Sequence, residues 1–195
     1  MTTSLDFFTS LASAEIPVLD FIREHFACGF LDFLCPFLSY LCAHGEIWIA
    51  LALLFLCLPK SRRMGLAMAF SLLIGVFAVN CFLKPFIFRV RPYDFAQVSI
   101  IVKPLHDGSF PSGHTAASFE ACTAMLYYDR RVGVPALILA IGIAFSRLYL
   151  YVHYPSDVLA SLLLGVLIGV CGIVLSGLAF RKGQTKQFKF FMETK

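Results

Sequence analysis

Charge is scarce in this chain. Asp, Glu, Lys and Arg make up only 14% of its 195 residues, too few to clothe a water-soluble domain of this length. With 59% apolar residues and a mean hydropathy of +0.81, the chain reads as a membrane protein. The N-terminus lacks a basic stretch followed by an apolar core and a small-residue cleavage site. No cleavable signal peptide is therefore expected, and the first transmembrane helix is read as its own insertion signal. No Cys-x-x-Cys pair occurs, which removes the commonest spacing for a metal site. The cysteines at 28, 35 and 42 repeat every seven residues, roughly 10 Å apart along a helix. That is too far for a disulfide between neighbours, so the seven cysteines are read as small packing residues. There is no internal repeat and no second soluble domain, so residues 1–195 form a single domain. The basic residues sit in short clusters rather than a nucleic-acid footprint, and no nucleic-acid partner is expected.

What is present is apolar sequence in long runs. Residues 1–25 contain a mixed segment with Leu5, Phe8, Leu11 and Ala12 at helical spacing, Asp6 and Glu15 interspersed, and Pro17 interrupting. It reads as an interfacial amphipathic segment. The transmembrane core is placed at 26–180, with apolar segments at 26–43, 46–59, 64–83, 113–128, 133–150 and 157–180. A full span needs about 20 residues; the first two are short, and the first carries Asp32 and Pro36. The expected fold is an all-α polytopic membrane bundle of about six transmembrane helices, ending in a basic cytoplasmic tail at 181–195. Lys60-Ser-Arg-Arg63, Asp129-Arg-Arg131 and Arg181-Lys182 fall on one side if every segment spans. Positive-inside reasoning makes that side, and both termini, cytoplasmic. The loops 84–112 and 150–156 then share the extracytoplasmic face, where Lys84, Arg89, Arg91, Lys103 and Arg147 break the charge rule.

Three polar patches lie on that face. The first runs from Lys84 to Arg91-Pro92, the second is Pro111-Ser112-Gly113-His114, and the third runs from Ser146-Arg147 through His153 to Asp157. Lys84, Arg91 and Arg147 are cations with no acidic run beside them. An Arg fork suits phosphate oxygens, and Lys supplies a point charge. Ser112-Gly113 opens an apolar helix: Ser is a good N-cap, and Gly admits a ligand to the helix N-terminus, which favours anions. A phosphoryl group held there needs a nucleophile and a proton donor, and His153 and His114 can share those tasks. Asp157, four residues after His153, is placed to accept its ring N–H and to stabilise the charged ring. His153 must begin neutral and His114 protonated.

Other polar residues are read more plainly. Asn80 and Glu120, inside apolar segments, are taken as helix-to-helix hydrogen-bonding groups. Asn80 lies one turn from Lys84 and is a possible support for it. Asp94, His106 and Asp107, with Arg89 and Lys103, are read as solvated loop residues. His44-Gly45-Glu46 falls at the outer end of the first segment and is read as lying outside the site rather than facing it. His25 and Asp32 are taken as structural.

Lys-x6-Arg-Pro, then Pro-Ser-Gly-His, then Ser-Arg-x5-His-x3-Asp resembles, in order, type and spacing, the three-part signature of the type 2 phosphatidic acid phosphatase superfamily. The resemblance covers about 45–175. It implies a helical membrane phosphatase with a vanadium-haloperoxidase-like core, working without a metal or other cofactor. By motif position, His153 corresponds to the phosphohistidine-forming nucleophile, Asp157 to its partner and His114 to the general acid. Lys84, Arg91, Ser112, Gly113 and Arg147 correspond to the phosphate-binding set. The implied partner is a lipid phosphate or diphosphate in the bilayer of the plasma membrane. The small size, outward site and short loops resemble bacterial undecaprenyl diphosphate phosphatases. Phosphatidylglycerophosphate or phosphatidic acid phosphatases, and a lipid phosphotransferase using the same site, are the alternatives.

Overall fold

The computed structural model describes the backbone of residues 2–193 and the side chains of residues 8–181. The side chains of the basic tail beyond Arg181 therefore lie outside the described residues. Every regular element is helical: α1 (Thr2–Phe26), α2 (Gly29–Leu41), α3 (Glu46–Cys57), α4 (Arg62–Gly75), two short helices α5 (Lys84–Ile87) and α6 (Pro92–Phe95), α7 (Gly113–Tyr128), α8 (Arg130–Tyr149) and α9 (Pro155–Glu193). Between α4 and α5 the chain continues without a break as a π-helix, Val76–Leu83. Such widened turns are uncommon and concentrate at functional sites; this one ends at Lys84.

Apolar side chains line both the inside and the outside of the bundle. Trp48, Met68, Ala121, Ala140 and Ile143 are wholly buried between helices, while Leu73, Ile138, Leu163 and Leu167 face outward, more than half exposed. A bundle with apolar residues on both its inner and outer surfaces is at home in hydrocarbon, and the chain is a membrane protein. Close helix approach depends on small residues, as is usual in membranes. A Cβ on Gly165 of α9 would lie 2.7 Å from the Ala116 carbonyl oxygen of α7, and one on Gly65 of α4 would lie 2.5 Å from the Leu56 backbone nitrogen of α3.

The helix count differs from the expected six spans. Among the described residues, Arg62–Phe95, Arg130–Tyr149 and Pro155–Arg181 are long and apolar enough to cross a membrane, and a fourth span exists if α2 and α3 are taken as one. At 1.5 Å per residue α2 and α3 are roughly 20 Å and 18 Å long, against a hydrocarbon core of about 30 Å. They meet at a 52° bend, where Gly45 adopts φ +80°, a left-handed conformation suited to glycine. The pair follows one path along the bundle. Asp32 near its start accepts a hydrogen bond from the Tyr149 hydroxyl at the end of α8, and Leu56 at its far end meets Gly65 near the start of α4. The hydropathy of 26–59 marks two apolar segments, whereas α2 and α3 are long and apolar enough for a span only when taken together across the bend. Helix α7 matches its expected limits of 113–128, although at about 24 Å it is also short.

The N-terminal segment also differs from expectation. Pro17 does not interrupt it: α1 runs through the proline as one helix. Its polar face packs on the end of the bundle that carries the three patches, with Tyr151 donating to Asp20 and Arg23 donating to the Ser99 carbonyl. Helix α1 thus lies at the site end, whereas six crossings after residue 25 would require the opposite end. Arg62 and Arg63 at the start of α4 and Arg130 and Arg131 at the start of α8 mark that opposite end, where Arg63 lies over the ring of Phe180, next to Arg181 inside α9.

Candidate active site

All three patches meet at one end of the bundle because helices α4, α7, α8 and α9 each begin or end there. Local sequence explains the geometry. Ser112 caps α7, its hydroxyl accepting from the Thr115 N–H. Pro155 opens α9 in a position where its missing N–H is harmless. Asp157 reaches back in the first turn to accept from the Tyr154 N–H at 3.0 Å, as a capping carboxylate does. The cap therefore fixes Asp157 next to the segment that bears His153.

A cavity of about 460 Å³ opens against this end, with Lys84, Arg91, Gly113, His114 and His153 in its wall. Asn80 also lines it and faces Gly113, whose Cβ position is 3.5 Å from the Asn80 amide oxygen. His44 and Gly45 contribute to the wall, so the turn between α2 and α3 does face the site.

His153 is wholly buried. Its Nε2 lies 3.4 Å from Arg91 Nη1, and its Nδ1 lies 3.6 Å from Asp157 Oδ2 with no hydrogen-bond partner. A cationic donor against Nε2 leaves the proton on Nδ1, facing the carboxylate. Burial pushes the ring well below its ordinary range, to about 4; Arg91 works in the same direction and Asp157 against it. The ring is thus neutral at physiological pH, with a free electron pair on Nε2. His114 is oriented by α2: its Nε2–H donates to the Ser39 carbonyl at 3.3 Å.

The cations differ in how they are balanced. Arg147 is 1% exposed, and its hydrogen bonds go to its neighbour Ser146 Oγ at 3.0 and 3.2 Å. No carboxylate pairs with it among the described residues. Arg91 donates to the Val152 carbonyl at 2.8 Å, to the Asp107 carbonyl at 3.0 Å and to Asp107 Oδ1 at 2.6 Å. Lys84 pairs with the other Asp107 oxygen. One carboxylate, half exposed at the cavity wall, therefore bridges two cations. Its own burial opposes ionisation, but the Lys84 and Arg91 hydrogen bonds and charges hold the Asp107 carboxyl down at about 2.

Two residues read as loop polars occupy central places instead. Asp107 is the bridge just described, and Arg89 is 3% exposed with its guanidinium wedged between Asp157 and Glu15 of α1. Ser109 donates to Asp157 Oδ2 at 2.5 Å, and Ser161 accepts from the Ser112 N–H at 2.7 Å. Arg89 sits two residues before Arg91, which was the available signal. Glu15, at a sequence separation of 74, had none.

Comparison with known proteins follows this geometry. Residues 63–181 match the family model of the PAP2 superfamily, a stretch holding all eight residues that the sequence singled out. The chain is 32% identical over 126 residues to the undecaprenyl-diphosphatase BcrC of Bacillus subtilis, covering 62% of this chain and 65% of that one. It is 34% identical over 124 residues to the decaprenylphosphoryl-5-phosphoribose phosphatase of Mycobacterium tuberculosis, covering 63% and 67%. An undecaprenyl-diphosphatase of Sulfolobus acidocaldarius is 31% identical over 61% of this chain and 58% of that one. The match thus spans less than two thirds of each, 65% of BcrC and 58% of the Sulfolobus protein. In fold the chain is similar to LpxE of Aquifex aeolicus, with a TM-score of 0.66 at 23% identity over 82% of this chain and 94% of that one. It is equally similar to a PAP2-type phosphatidylglycerolphosphate phosphatase of Bacillus subtilis, with a TM-score of 0.65 at 22% identity over 90% and 95%.

Proposed function

The chain belongs to the PAP2 superfamily, and from that premise we propose that it hydrolyses a lipid phosphate or diphosphate, foremost undecaprenyl diphosphate, through a phosphohistidine on His153. The observation that carries the reading is the charge pattern. Arg147 is buried without a carboxylate, Lys84 and Arg91 share a single one, and His153 and His114 share the cavity wall with Lys84 and Arg91. Such a set is built to receive an anion, and the chain's own cations meet the charge that a phosphoryl group spreads over its equatorial oxygens.

In the first step Nε2 of neutral His153 attacks phosphorus and the bond from phosphorus to the leaving oxygen breaks. His114 gives that oxygen its proton. Asp157 stabilises the positive charge that the His153 ring acquires. In the second step His114 takes a proton from water, the water oxygen attacks phosphorus, the N–P bond breaks and inorganic phosphate leaves. Lys84, Arg91, Arg147 and the Ser112-Gly113 end of α7 hold the phosphoryl oxygens throughout. The basic helix ends opposite the cavity favour an extracytoplasmic site. Undecaprenyl diphosphate is favoured because BcrC and the Sulfolobus relative carry it in their names.

The test is phosphate release by purified protein in detergent with EDTA present. Undecaprenyl diphosphate, phosphatidylglycerophosphate and phosphatidic acid are offered in parallel, with His153→Ala as control. Release from undecaprenyl diphosphate, lost in the variant, is expected. Release only from a glycerolipid would replace the substrate; release that needs a second lipid as acceptor would identify a phosphotransferase. Full activity of His153→Ala would sink the mechanism.

A further inference from the structure

Helix α1 lies outside the stretch that defines the family, yet it sends a carboxylate into the site. Resting on the phosphohistidine reading above, we propose that Glu15 is a positioning residue that acts through Arg89 to set the charge Asp157 presents to His153. Glu15 is 8% exposed, Arg89 3% and Asp157 0%. Arg89 Nη2 donates to Glu15 Oε2 at 2.6 Å, and Arg89 Nη1 donates to Asp157 Oδ1 at 2.6 Å. Ser156 ties the same junction: its N–H donates to Glu15 Oε1 at 2.6 Å, its hydroxyl donates to Glu15 Oε2 at 3.0 Å, and it accepts from Arg89 at 2.7 Å. The Arg89 guanidinium lies 3.7 Å over the ring of Tyr154.

Charge explains why a third member is needed. His153 becomes positive when its Nε2 takes the phosphoryl group, and the anion facing its Nδ1 is Asp157. A buried guanidinium paired with Asp157 alone would cancel that anion. Glu15 cancels the guanidinium from the other side, so the chain Glu15–Arg89–Asp157 keeps one net negative charge, exposed to His153. Fastening α1 does not require this arrangement. Asp20 on Tyr151 and Arg23 on the Ser99 carbonyl already hold the helix, and burying three charges is a poor way to gain stability.

The experiment compares Glu15→Gln, Glu15→Gln/Arg89→Gln and Asp20→Ala in the full-length protein, each checked for folding by gel filtration in detergent. Steady-state phosphate release is measured with undecaprenyl diphosphate, phosphatidylglycerophosphate and phosphatidic acid, and His153→Ala is run beside them. Glu15→Gln should lose about tenfold in kcat with KM within about twofold. The double variant removes both charges and leaves Asp157 uncancelled, so its kcat should recover to within about threefold of wild type. Asp20→Ala, which loosens α1 without touching the chain of charges, should stay within about twofold. Wild-type kcat in Glu15→Gln, an equal fall in Asp20→Ala, or a double variant slower than Glu15→Gln overturns the proposal. If Glu15→Gln does not fold, the double variant decides alone: recovery supports the proposal and a loss beyond about tenfold overturns it. Activity in His153→Ala would sink the phosphohistidine reading itself, and this inference with it.

Discussion

Asp107 makes the resting site a competitor of its own substrate. Its carboxylate bridges Lys84 and Arg91, the pair proposed to hold the phosphoryl group, so a phosphate must displace it to bind. The side chain is 48% exposed, which keeps each ion pair in the range of about 0.5–1 kcal/mol expected of solvated pairs. Two such pairs give about 1–2 kcal/mol, or roughly five- to thirtyfold in affinity. Asp107→Asn keeps the shape and removes the charge. Its inhibition constant for inorganic phosphate, measured by competition against the lipid, should fall by about tenfold. Because Lys84 and Arg91 hold the Asp107 carboxyl down at about 2, the carboxylate stays charged across the working pH range, and lowering the pH to 5 should not mimic the variant. An unchanged or weaker inhibition constant would refute the reasoning, since it would mean that Asp107 organises the two cations for phosphate rather than competing with it.

Further expectations concern the nucleophile, the unbalanced cation and the bundle. Burial holds His153 at about 4, so the neutral ring survives as pH falls through the ordinary histidine value near 6.5. The acid limb of kcat/KM, corrected for ionisation of the substrate, should lie near 4 to 5; a limb at 6.5 would contradict the buried, neutral nucleophile. Arg147→Ala should lower kcat/KM by about a hundredfold or more in phosphate-release assays, as loss of a preorganised oxyanion partner does. Gly65→Ala drives a Cβ to 2.5 Å from the Leu56 backbone nitrogen, and forcing α3 from α4 should cost about 1–3 kcal/mol, read as a lower thermal midpoint in detergent with the site residues unchanged.

The three polar patches were legible in the sequence because each is encoded locally. Lys84 and Arg91 share one stretch, Ser112-Gly113 must open a helix, and Asp157 follows His153 by one helical turn with Pro155 between them. Each short pattern dictates its own backbone, so its side chains can be placed without knowing the fold. The supporting groups escaped for the opposite reason. Glu15 meets Arg89 only because α1 folds back over the site end, and nothing near residue 15 announces a guanidinium 74 positions away. Asp107 looked solvated because a loop aspartate usually is. The span count differs for a reason hydropathy does not register: 26–43 and 46–59 are both apolar, but neither helix there is long enough alone, and they pass as a span only as a pair bent by 52°. Pro17 misled because a proline costs a helix one hydrogen bond, a loss that α1 withstands while its polar face is held by Tyr151, Arg89 and Ser156.

The site's charges form one system. Three cations, Lys84, Arg89 and Arg91, pair with three carboxylates, Glu15, Asp107 and Asp157; a fourth, Arg147, pairs with none among the described residues, and His153 is neutral. Two of the carboxylates are committed: they sandwich Arg89 in the buried base, where water cannot screen them. The third is half exposed and able to leave. While Asp107 bridges Lys84 and Arg91, those two cations share one negative charge, and Arg147 has no carboxylate among the described residues. On the proposed reading a phosphoryl group carrying close to two negative charges would take that place and draw on all three cations, Lys84, Arg91 and Arg147. The buried Glu15–Arg89–Asp157 chain places a net negative charge behind the histidine, where the proposed mechanism would use it in both steps. On the proposed mechanism, stable charge behind His153 and displaceable charge in front of it would let one site hold still at rest and still accept a highly charged headgroup.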